Sequence, residues 1–285
     1  MAFNFFFEGE GSLVYASVRK AYVEHAQQLI DVEKEYSAKL IEGLSAFYQD
    51  IERDFNEASR LGSYWKRYAP RQRGRGFLNE AYPWGEVGEK VLDAYLYRIA
   101  DAMFPNSNYV GLPYGHDVRF LTDDAFVHID IKSTGPHDNL NEVVASPNQV
   151  SGDGIYLDDE GVYNSPVEVE GPRRGFTFQP ELPPFYIIDE RPRLTLTFYL
   201  KCAYDVITMG EQPLMYVELI CVPNGLLMFD TLNYSAKPGL LIPGKDILTS
   251  VHKRTRIRLA PLAAINHWRC TKIYREGDEI KKSMR

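Results

Sequence analysis

Nowhere does this sequence place about 18 apolar residues together, so a membrane-spanning helix is excluded. Its start, MAFNFFFEGEG, lacks the basic residues and long apolar segment of a secretory leader, and a cytoplasmic protein is expected. Cysteine is scarce. Cys202, Cys221 and Cys270 are odd in number and lack metal-ligand spacing, which favours buried reduced thiols over a disulfide framework. Positive charge is in deficit, with a formal net charge of −7, so a uniformly basic surface for polyanions is excluded, although a focused basic site is not. Internal repeats and low-complexity segments are also missing.

What is present suits a soluble globular chain: 285 residues with 45% hydrophobic content provide ample material for a core. One domain is expected, with a helical part over about 12–61, a core over about 83–135, and a sheet-rich part over about 136–285. Two or three helices are expected in the first part, where Val14, Val18, Val23, Leu40, Leu44 and Phe47 recur at helical spacing. Pro83 suits a first helical turn, and Val87, Val91, Tyr95 and Ile99 predict a helix over 84–104 that also bears Glu86, Glu89 and Asp93. FYIID, LTLTFYLKCAYDVI and LMYVELICV read as strands. In the second of these, Thr195, Thr197 and Tyr199 alternate with Leu194, Leu196, Phe198 and Leu200, predicting one strongly buried face.

The chemistry concentrates in GLPYGHDVRFLTDDAFVHIDIKST, residues 111–134. Val127, Ile129 and Ile131 alternate with Phe126, His128, Asp130 and Lys132, a strand period that puts Asp130 and Lys132 on one face, roughly 6–7 Å apart. Upstream, Asp117 follows a Gly-rich turn and opens Val118–Leu121, which could lie beside that strand as a hairpin. Two carboxylates and a lysine so gathered suit a hard divalent cation and phosphodiester hydrolysis, with the lysine orienting a water or stabilising developing charge. A surface ion pair between Asp130 and Lys132 explains those two residues equally well.

Two basic stretches could meet a phosphate backbone or base edges. KRYAPRQRGR, residues 66–75, has five positive charges beside Tyr64, Trp65 and Tyr68, and suits either a DNA-contacting loop or a solvated one. In the segment containing Lys253, Arg254, Arg256 and Arg258, the arginines would project to one side of a strand, suiting phosphates or guanine edges. An exposed edge that discourages aggregation is the rival explanation.

At Asp117, Asp130 and Lys132 the chain resembles the PD-(D/E)xK nucleases, and among them the type II restriction endonucleases. The similar blocks run in order: DFNEASRLGSYWKRYAP (54–70), PWGEVGEK (83–90), GLPYGHDVRFL (111–121), DIKSTGPHD (130–138) and SPNQVSGDG (146–154). GPRR (171–174), LPPFYII (182–188), VPNGL (222–226), PGKD (243–246) and KRTRIRL (253–259) continue the series.

The resemblance implies an α/β fold, a mixed central sheet flanked by helices, and a homodimer. It also implies Mg²⁺-dependent cleavage of both strands of an interrupted, G·C-rich palindrome, leaving 5′-phosphate and 3′-hydroxyl ends. It makes Asp117, Asp130 and Ile131 the metal positions, Lys132 the motif lysine and Glu89 the supporting carboxylate. Asp138, Lys245, Asp246, Arg254 and Arg256 become the DNA-reading positions, with Arg71, Arg73, Arg75, Lys253 and Arg258 along the cleft. An aspartate accepts from cytosine N4 and an arginine donates to guanine O6 and N7, which suits such a site. His116 stands where the motif has proline, and Ile247 where the family pattern has a second acidic residue. A repair or recombination nuclease of the same fold, or a non-catalytic DNA-binding protein, are the alternatives.

Overall fold

The computed structural model describes residues 15–60, 84–110, 117–152, 155–158, 161–164, 167–169, 176–207, 211–224, 239–244 and 253–275. Its first half is helical because the apolar spacing is helical. Helix α1 (Tyr15–Glu24) is followed, after a turn at His25, by α2 (Ala26–Arg60). Along α2 the buried residues are Leu29, Val32, Tyr36, Leu40, Leu44, Tyr48, Ile51 and Phe55, a single stripe at steps of three and four. Helix α3 (Trp84–Met103) buries Leu92, Tyr95, Leu96, Ile99 and Ala100 in the same manner. Gly43 lets α2 and α3 touch, since a Cβ there would lie 2.5 Å from Ile99. No described helix is long and apolar enough to cross a membrane.

The strands follow as β1 (Asn108–Tyr109), β2 (Val118–Leu121), β3 (Ala125–Thr134), β4 (Glu142–Ala145), β5 (Ile155–Asp158), β6 (Gly161–Asn164) and β7 (Val167–Val169). After them come β8 (Phe176–Phe178), β9 (Phe185–Ile188), β10 (Arg191–Tyr204), β11 (Leu214–Val222), β12 (Leu241–Pro243), β13 (Thr255–Arg258) and, past helix α4 (Leu259–Ile265), β14 (Cys270–Ile273). The main sheet has the order β1-β2-β3-β10-β11-β14, with β9 also paired to β10. It is mixed, because β3 and β10 run parallel while β2–β3 and β10–β11 are antiparallel. A mixed sheet with flanking helices is thus the architecture.

The two faces of this sheet have different covers. Ile129, Ile131, Phe198, Leu200 and Leu219 pack with the stripes of α2 and α3. Tyr199, Ile220 and Val222 instead pack against Val143, Ala145, Ile257 and Leu262, contributed by β4, β13 and α4. A second sheet, β12-β13-β4, therefore lies over the first. This corrects the reading of β10 as a strand with one buried face: Thr195, Thr197, Tyr199 and Lys201 are buried as well, because a central strand parallel to β3 is covered on both sides.

Polar anchors tie α2 to the sheet. The Tyr36 hydroxyl lies 2.6 Å from Thr122 Oγ1 and donates to Asp124 Oδ1 at 2.5 Å, fixing the β2–β3 turn. Deeper in, Glu33 accepts from the Asn224 amide and from Arg269 Nη2, each at 2.5 Å, and Asn224 Nδ2 also donates to the carbonyls of Pro184 and Thr195. Cys202, Cys221 and Cys270 are free thiols, and burial pushes that of Cys270 up to about 12.

Candidate active site

Strand β3 outruns β2. Their register ends at Val118 opposite Ile129, so one further step sets Asp117 opposite Asp130, two like charges at facing positions that stability alone would avoid. Asp117 continues the ladder only in part: its amide donates to the Ile129 carbonyl at 3.1 Å, and its Oδ2 accepts from the Ile131 amide at 2.7 Å. In an antiparallel ladder a residue's N–H and C=O point to the same side, so the Ile131 carbonyl also faces this open edge.

Asp130 is 4% exposed. Its Oδ2 pairs with the Lys132 ammonium, and its Oδ1 accepts from Gln149 Nε2 at 2.5 Å. Burial pushes its carboxyl from 3.8 up to about 7. Lys132 opposes the rise, while the charges of Asp117 and Glu89 add to it. Glu89 projects from α3, which comes down closely on the sheet because a Cβ at Gly88 would lie 2.5 Å from Ser133 Oγ. One turn along, Asp93 is half-buried with an Oδ1 that has no hydrogen-bond partner among the described residues; its carboxyl is raised by burial, and Asp117 adds to the rise against Lys90.

Whether this set suits a hard cation can be judged from its donors. Among the described residues, no three carboxylate, imidazole or thiol side chains form a ready-made metal cage. The edge instead offers the carboxylates of Asp117 and Asp130 and the Ile131 carbonyl, which fits an ion that takes one or two carboxylates and keeps most of its water. A carboxyl lifted towards neutrality by burial, with the charges of Asp117 and Glu89 adding to the rise, gains from a divalent charge beside it.

Of the predicted reading positions, Asp138 follows β3, and Arg254 and Arg256 lie at β13. Asp138 is exposed in the following turn, where its Oδ2 accepts from the Gly135 amide at 3.0 Å. Arg254 is exposed immediately before β13, and Arg256, on β13, is paired with Glu142 of β4. Lys253 is half-buried and Arg258 exposed. A cavity of about 140 Å³ lies beside β3, with Lys132, Asp138, Glu142, Lys201 and Arg256 among its lining residues. Arg71, Arg73, Arg75, His116, Lys245, Asp246 and Ile247 lie outside the described residues.

Two contributors were not singled out from sequence. Lys201 is fully buried opposite Lys132; it pairs with Glu218 at 3.2 Å and donates to the Leu140 carbonyl at 2.7 Å, which fixes the loop after Asp138. Gln149 closes the 3-10 turn Pro147–Gln149 behind Ser146, and the pattern Ser-x-x-Gln is the signal that could have marked it as held in place. Nothing local indicates that its amide reaches Asp130.

Comparison with known proteins adds to this geometry. A family model described as restriction endonuclease BglI matches residues 12–273. The type II restriction enzyme BglI of Bacillus subtilis is 34% identical over 272 residues, covering 86% of this chain and 91% of that protein. A crystal structure of the restriction endonuclease BglI bound to its DNA recognition sequence superposes with a TM-score of 0.80 at 32% identity, covering 91% of this chain and 95% of the other. The tetrameric restriction endonuclease SfiI, bound to cognate DNA, shares the fold, with a TM-score of 0.61 at 13% identity over 88% of this chain and 86% of its own.

Proposed function

This chain belongs to the BglI restriction endonuclease family, and from that premise we propose that it is a homodimeric, Mg²⁺-dependent type II enzyme that hydrolyses both strands of duplex DNA at an interrupted, G·C-rich palindrome. One observation supports the reading above the rest: Asp130 and Lys132 share a face at the open end of β3, directly across from Asp117.

Asp117, Asp130 and the Ile131 carbonyl would hold the ion. When bound, Mg²⁺ would lower the pKa of a water and offset charge on the scissile phosphate. Lys132 would orient that water and take up charge developing on the phosphate oxygens, leaving 5′-phosphate and 3′-hydroxyl ends. Glu89 would complete the acidic edge from α3. In the reading half, Asp138 would accept from a cytosine amino group, and Arg254 and Arg256 would donate to guanine, with Lys245 and Asp246 also contributing. Arg256 would exchange Glu142 for the base, while Lys253 and Arg258 would meet phosphates.

Asp130→Ala is the test. Wild-type protein with Mg²⁺ should cut linear DNA into discrete, reproducible fragments, and the variant should lose about 1000-fold or more in rate. Sequencing the ends gives the site and cut positions. Cleavage by the variant at the wild-type rate would sink the assignment.

A further inference from the structure

From Asp130 to Gln149 the chain runs in a closed circuit. It leaves the edge along β3, turns through Gly135 and Asp138, pairs β4 with β13, and enters the 3-10 turn whose last side chain returns to Asp130. The Gln149 side chain is buried, and its orientation is fixed by its partners. Its Oε1 accepts from the Ser146 amide at 3.1 Å, which leaves Nε2 to donate to Asp130 Oδ1. Its backbone carbonyl accepts from the hydroxyl of Tyr199, the residue beside Asp130 on β10, at 3.4 Å. Asp130 is therefore gripped at both oxygens, by a cation at Oδ2 and by a neutral amide at Oδ1. A neutral donor fixes the plane of a ligating carboxylate without adding a charge that competes with a metal.

The circuit has a second property. Ser146, which anchors Gln149, directly follows β4, and β4 is held to β13 in register from Thr255 opposite Ala145 to Arg258 opposite Glu142. A shift of β4 and β13 against a DNA groove would therefore reach Gln149 through a single cap residue.

We propose that Gln149 is a positioning residue that sets Asp130 for metal binding and makes that setting depend on how segment 135–145 docks on DNA. The inference rests on the nuclease reading above. Gln149 touches neither water nor phosphate in this scheme; it acts through Asp130.

The experiment measures Mn²⁺ affinity of the full chain on two non-cleavable duplexes, one bearing the mapped site and one lacking it, together with kcat and KM on cleavable DNA. Wild type should bind Mn²⁺ about tenfold or more tightly on the site-bearing duplex. Gln149→Met keeps the length but removes the donor; it should weaken that affinity by about 10- to 100-fold, abolish the difference between duplexes and lower kcat, with KM for DNA nearly unchanged. Should Gln149→Met not fold, Gln149→Asn, one methylene shorter, has the same expected outcome. A folded variant that keeps wild-type metal affinity, or keeps its dependence on the site, overturns the positioning role. Wild-type protein that cleaves no DNA refutes the nuclease reading itself, whereas cleaving wild type beside an unaltered variant refutes only the role of Gln149.

Discussion

Two acid–base pairs in this molecule are built from the same chemistry and behave differently. Glu33 and Arg269 are sealed, with side chains 3% and 0% exposed, and both carboxylate oxygens of Glu33 accept hydrogen bonds, one from Arg269 and one from the Asn224 amide. The side chains of Asp130 and Lys132 are 6% and 29% exposed and stand at a sheet edge where Asp117 and Glu89 press further negative charge on the buried acid. The first pair joins α2 to β11 and to the turn before β14, and every contact strengthens it. In the second, burial opposes the ionised acid, Lys132 favours it, and the charges of Asp117 and Glu89 work against Lys132. That contrast separates an ion pair that serves packing from one that, in the function proposed above, serves chemistry.

Truncating each cation should drive the contrast to its extreme. Lys132→Ala should lower DNA cleavage by about 100- to 10,000-fold while changing stability little, because the Lys132 side chain is 29% exposed and water can take its place beside Asp130. Arg269→Ala should instead cost about 3–5 kcal/mol of unfolding free energy, since it strands Glu33 in the core. Urea melts and plasmid cleavage on both variants decide the matter. Equal stability losses would erase the distinction.

A smaller effect comes from pH. Asp130 has a folded pKa raised above its unfolded value, so the folded state holds this proton more tightly. The stabilisation is fully present below about 4 and is lost as pH rises through about 7. With divalent cations chelated, wild type should therefore lose a few kcal/mol between pH 4 and 8 that Asp130→Asn does not lose. Glu33, also raised by burial, is common to both proteins and cancels in the difference. Identical pH dependence of the two melts would show that Asp130 is ionised at no cost.

How much of this was legible beforehand follows from the range of the interactions. Strand β2 coincides with the short run Val118–Leu121, and β3 contains the whole alternation from Phe126 to Lys132, because a period of two is written in neighbouring residues. Helix α3 spans Trp84–Met103 against a predicted 84–104 for the same reason. The partners of these elements were not legible. Glu33 meets Arg269 across 236 positions, and Thr197, Tyr199 and Lys201 lie under a second sheet whose strands come from both sides of β10 in the chain. Gln149 shows the limit most clearly: its turn could be read from Ser146, but its target depends on how a 3-10 turn packs against a strand 19 positions away.

The smallest expected effect concerns the way α3 presents Glu89 to the same edge. Gly88 packs so closely on the sheet that an added methyl would lie 2.5 Å from Ser133 Oγ and 3.2 Å from Cys202 Sγ. Alanine is the better helix former by about 1 kcal/mol, so a helix free of the sheet would gain from Gly88→Ala. Here the clash should outweigh that gain, and we expect a net loss of about 1–2 kcal/mol in urea melts as α3 lifts from β3 and β10. Ser133→Ala removes the nearest atom, so the double variant should recover most of the loss, which a mere change in helix propensity could not produce. Cleavage should fall with Gly88→Ala and return with the double variant if Glu89 acts from this helix. Recovered stability without recovered cleavage would confine Gly88 to packing and leave Asp117, Asp130 and Lys132 as the working edge.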